Sequence, residues 1–63
     1  QAVGKIVRIT QRVDDLAQTG KGILDGMEWT VRPDGKEVLA KDTLASVIRL
    51  SGVKLIVEPY KED

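Results

Sequence analysis

Apolar positions fall in short alternating stretches separated by glycines, prolines and acidic turn formers, the pattern of half-buried strands. From Gly4 to Val13, Val3, Val7, Ile9 and Val13 share one alternating face while Lys5 and Ile6 interrupt it, so a single long, bent first strand is expected. Asp14 to Gly20 then mixes turn formers with one apolar residue, a loop expected to anchor itself through Leu16. Asp25-Gly26 stands between Leu24 and Met27, and an Asp-Gly link between apolar runs is a strong hairpin signal because both positions tolerate positive φ. Counting outward pairs Leu24 with Met27, Gly22 with Trp29 and Gly20 with Val31 on one face, and Ile23 with Glu28 and Lys21 with Thr30 on the other. A glycine opposite a tryptophan leaves room for the indole, so Trp29 is expected to pack over Gly22 as core.

Pro33-Asp34-Gly35 closes this strand in a turn, and Glu37 to Thr43 is too short for more than a turn of helix, with Leu39 expected to plug the interior. Leu44–Leu50 and Val53–Glu58 read as the last two strands around Ser51-Gly52, and Pro59, with no N–H, stops the second of them. The register of this hairpin stays open. A two-residue turn pairs Ile48 with Leu55 and leaves Val47 and Ile56 on the far face; a three-residue loop pairs Val47 with Leu55 and leaves Ile48 with Ile56. Either way Ile56 points away from the core residues Leu55 and Val57. An outward pair drawn from Val47, Ile48 and Ile56 then lies under a neighbouring segment or forms a small protein-contact patch.

Five strands in this order describe an all-β domain, a five-stranded Greek-key barrel of the OB kind over residues 1–59, followed by a polar tail, 60–63. An SH3-like barrel has a similar strand count and stays open. The 63 residues are one domain with a thin core, and no cysteine is present to cross-link it. The chain opens at Gln1 rather than at methionine, which reads as a piece of a longer protein.

Chemistry enters mainly by exclusion. Without histidine or cysteine the usual bases, thiol nucleophiles and zinc ligand sets are missing. Asp14-Asp15 is an adjacent carboxylate pair in a loop, where neighbours do not converge on one substrate. Gly20-Lys21-Gly22 lacks P-loop spacing and precedes a hairpin, and the surroundings of Asp42 lack the spacing of a calcium loop. No enzymatic activity, metal or cofactor is expected. Ten basic and ten acidic residues cancel, removing the long-range field that draws proteins to nucleic acid. Single-stranded nucleic acid, the competing ligand for an OB barrel, would have to use Trp29 and Tyr60 with Lys5, Arg8 and Arg12.

The series Gly4, Leu16, Gly20, Gly26, Trp29, Leu39, Val47, Gly52, Leu55, Val57 and Pro59 resembles the C-terminal soluble domain of NfeD-type proteins over nearly the whole chain. The closing segment Val47 to Pro59 follows the family pattern Val-x-x-x-x-Gly-x-x-Leu-x-Val-x-Pro. Ala17 stands where the family often has a proline, and Asp42 where it often has a glycine. The resemblance implies an OB-type domain hung on a bacterial or archaeal membrane anchor outside this chain. The implied partner is a stomatin- or flotillin-like (SPFH, band-7) scaffold. Long family members also carry a ClpP-related serine protease domain, to whose nucleophile nothing here corresponds.

Overall fold

The computed structural model describes residues 2–62; the opening Gln1 and the last tail residue, Asp63, lie outside the described residues. Five strands follow in order: β1 (Ile6–Asp14), β2 (Thr19–Leu24), β3 (Met27–Pro33), β4 (Leu44–Ser51) and β5 (Lys54–Pro59). They close into a barrel in the order β1-β2-β3-β5-β4, with β3 and β5 parallel and the other paired strands antiparallel. The long first strand serves both sides of the closure. Its start pairs with β4 (Ile6↔Ser46 to Arg8↔Leu44), and from Arg8 onward it pairs with β2. Register shifts on either side of Gln11 bend it, which keeps Val7, Ile9 and Val13 inside while Gln11 faces out. This is the OB arrangement, and it settles the choice against the SH3-like alternative.

The first hairpin has the register that the Asp-Gly turn dictates, Leu24↔Met27 through Lys21↔Thr30, with Asp25 at φ 52 and Gly26 at φ 80. Gly22 faces Trp29 across the hairpin as expected, and the interior requires a glycine there as well. A Cβ there would lie 2.7 Å from Val7 Cγ2, 3.0 Å from the Arg8 carbonyl and 3.4 Å from Val31 Cγ2, so the bare backbone makes room for the valines of the interior. Trp29 is half-buried and packs against the core beside Ala2.

The core consists of Val7, Ile9, Val13, Leu24, Val31, Leu39, Ala45, Val47, Leu55 and Val57. Leu39 comes from the connector between β3 and β4, which is not helical; it exchanges two backbone hydrogen bonds with Val13 (2.8 and 3.0 Å). That pairing turns a loop residue into a barrel plug.

The last hairpin takes neither expected register. Its two-residue loop is Gly52-Val53, one position later than Ser51-Gly52, with Gly52 at φ 61 and Ser51 facing Lys54. From there Leu50 pairs with Leu55 and Arg49 with Ile56, whereas further along Val47 pairs with Val57, so Ile48 is the extra residue of a β-bulge. The bulge shifts the face of everything beyond it. Val47 therefore turns inward. Pro59 is the final residue of β5, opposite Ala45, and the Tyr60 amide donates to the Leu44 carbonyl (3.1 Å), so the tail begins tied to the barrel.

Candidate functional site

Among the described residues no group of three or more acidic, histidine or cysteine side chains is placed to hold a metal ion, and no polar side chain belongs to the buried core. The Asp14-Asp15 pair serves the β1–β2 loop. Asp14 Oδ1 accepts from the amides of Leu16 (3.1 Å) and Ala17 (3.5 Å), and the Asp15 carbonyl accepts from Gln18 Nε2 (2.6 Å). Leu16 does not anchor that loop. It is 98% exposed, held out by an Asx turn whose amides are satisfied by Asp14 rather than by packing.

The basic residues of β1 and its approach are each matched by a carboxylate: Lys5 with Asp25 (2.8 Å), Arg8 with Asp42 (3.8 Å) and Arg12 with Asp14 (3.7 Å). Arg49 pairs with Asp34 at 2.7 Å and Lys21 with Glu28 at 3.9 Å. Arg32 differs, since its guanidinium donates to the carbonyls of Gln18 (2.8 Å), Val31 (2.8 Å) and Gly20 (3.5 Å), tying the β1–β2 loop to β3.

The residues expected to form a contact patch are not brought together at the surface. Val47 is 2% exposed and lies inside the barrel because the Ile48 bulge rotates it there. Ile56 faces outward yet is only 8% exposed. It sits on the central one of three strands, with Arg32 on β3 and Arg49 on β4 as its register neighbours. Ile48 is half-buried. Gly22, Leu39, Leu55 and Val57, expected as core, lie in the buried interior, with Trp29 packed at its edge.

Besides the separately exposed Val3, Ile6 and Leu16, apolar surface is exposed at the two ends of the barrel. At one end Met27, Trp29 and Leu50 line a shallow pocket of about 290 Å³ with Ala2 and Leu24, rimmed by the Lys5–Asp25 pair; Val53, at the adjoining hairpin tip, is exposed. At the other end the connector and the paired ends of β4 and β5 enclose a wider groove of about 740 Å³, lined by Val38, Leu44, Pro59 and Tyr60 with Glu37, Asp42 and Glu62. Strand alternation says little about most of these residues, because Met27, Leu44 and Pro59 stand at the first or last position of a strand and Val38, Val53 and Tyr60 lie outside the strands. Leu44 carried a faint signal: it alternates out of phase with the inward Ala45.

A closed five-stranded barrel whose free features are apolar end surfaces and neutralised charges defines an OB-type binding module. The profile of the NfeD-like C-terminal, partner-binding domain matches residues 1–59, and the chain belongs to that family. A crystal structure of the soluble domain of a Corynebacterium glutamicum membrane protein implicated in regulation of membrane protease activity is similar to it. The two share 30% identity with a TM-score of 0.83, over 98% of this chain and 94% of that one. The C-terminal domain of a stomatin operon partner protein from Pyrococcus horikoshii has the same fold (21% identity, TM-score 0.84, 97% of this chain and 91% of that one). No curated protein matches the chain. No helix among the described residues is long and apolar enough to cross a membrane.

Proposed function

We propose that this domain is a non-enzymatic docking module of a membrane-associated NfeD-like protein, and that its partner is a stomatin- or flotillin-like SPFH scaffold engaged in membrane organisation or quality control. The observation that carries the reading is the match of residues 1–59 to a partner-binding domain family. The architecture agrees with it. The barrel offers apolar surface at both ends, where a protein partner can bury it, and the cationic residues Lys5, Arg8 and Arg12 are each paired with a carboxylate, which weakens the case for nucleic acid.

Two binding assays run side by side test this reading. Mixed with the soluble part of a stomatin-like protein from the same organism, the domain co-elutes as a complex; with a short single-stranded oligonucleotide at low salt it gives a flat titration. Oligonucleotide binding that falls steeply with salt, without complex formation, would reverse the assignment.

A further inference from the structure

We propose that the groove between the connector and the ends of β4 and β5 receives a partner segment carrying apolar side chains among basic ones. This rests on the partner-binding reading above and deepens it by naming the surface and the chemistry of what it takes.

Charge complementarity carries the argument. The ionisable side chains lining the groove are Glu37, Asp42 and Glu62, three carboxylates, with no lysine or arginine among the lining residues. The whole chain is neutral, so this bias is local. Asp42 is paired with Arg8 at 3.8 Å, so the unpaired negative charge of the groove is that of Glu37 and Glu62, which make no ion pair among the described residues. Lys36, Lys41 and Lys61 are sequence neighbours of lining residues but do not line the groove themselves; Lys36 lines an adjoining depression with Asp14 and Asp15. A negative rim repels the phosphates of nucleic acid and of anionic lipid and favours lysine or arginine.

The surface between the carboxylates is apolar and exposed: Val38 at 43%, Leu44 at 45% and Tyr60 at 39%. Tyr60 adds an aromatic face on which a cation can rest. The walls are held by the backbone rather than by mobile side chains. Leu39 is bonded both ways to Val13, the Asp42 amide donates to the Ile9 carbonyl (2.7 Å), Thr43 Oγ1 donates to the Ala40 carbonyl (2.6 Å), and Tyr60 is held to Leu44. A groove fixed in advance loses little entropy when it is filled. The opposite barrel end lacks this combination, since its Lys5 and Asp25 neutralise one another.

The test follows the backbone amides of the isotope-labelled domain during titration with two synthetic peptides of equal length, one alternating leucine with lysine and one alternating leucine with glutamate. The leucine-lysine peptide shifts Val38, Leu44 and Tyr60, and Glu37→Lys/Glu62→Lys weakens it about ten-fold. Equal shifts with both peptides, or shifts centred on Met27 and Leu50, overturn the proposal. The same double variant and Leu44→Asp, all exposed positions, are then mixed with the soluble part of the stomatin-like protein. Loss of binding in both supports the groove. Undiminished binding in both overturns the groove while leaving the partner reading intact. Failure of the unaltered domain to bind that protein overturns the partner reading, and the peptide titration then decides the groove alone.

Discussion

Asp42 illustrates how one backbone angle constrains one residue. It sits at φ 73 just before β4, its amide donating to the Ile9 carbonyl, at a position where a glycine is common in NfeD-type domains. Aspartate tolerates the left-handed region better than most side chains, and a β-branched residue tolerates it worst. Asp42→Gly should therefore leave stability within about 0.5 kcal/mol of the parent or raise it, whereas Asp42→Val should lower it by about 1–2 kcal/mol, read from urea midpoints. Gly22 is constrained by space instead. Gly22→Ala places a methyl group 2.7 Å from Val7 Cγ2 and should cost about 1–3 kcal/mol in the same measurement. If Gly22→Ala proved neutral, the interior around Val7 and Val31 would be looser than the structure shows.

At the scale of elements, the connector between β3 and β4 contributes more than its irregular backbone suggests. Leu39 is 6% exposed, closes one barrel end and holds the groove wall against Val13. Leu39→Ala should cost about 2–5 kcal/mol, a large share of the stability of so small a domain, with a lowered thermal midpoint as the readout. The hairpins show which structure was legible in the sequence. The first was readable because Asp25-Gly26 fixes its register locally, and every pairing from Leu24↔Met27 to Lys21↔Thr30 follows from counting outward. In the second, Gly52 left two registers open, and the bulge at Ile48, which no local signal marks, produced a third. The two-residue turn put Val47 on the wrong face, whereas the three-residue loop kept it on the inward face it occupies. The low exposure of Ile56 was equally invisible, since β5 is flanked by β3 and β4 and its pairing with β3 is the parallel one that local counting does not reach. The exposure of Leu44 went unnoticed because alternation says little about strand ends, and Tyr60 was singled out only as an aromatic, not as part of an apolar groove.

For the whole molecule, the fold class followed from strand count and order, and the choice between OB-like and SH3-like barrels required the β3–β5 pairing. The barrel is held by its aliphatic interior, and the five ion pairs among the described residues lie on exposed side chains apart from the part-buried Asp14. Exposed pairs contribute little each and are screened by salt. The thermal midpoint should accordingly change little between low and physiological ionic strength, measured by circular dichroism; a steep fall would show that electrostatics hold the barrel together. Partner binding at the acidic groove should behave in the opposite way, weakening as salt rises.

The role proposed for this barrel is docking onto a stomatin-like scaffold protein. It is tested most directly by measuring the affinity of the labelled domain for the soluble part of such a protein from the same organism while following every backbone amide. Saturable binding with shifts confined to one end of the barrel is the expected result. The absence of any shift at high partner concentration would contradict it.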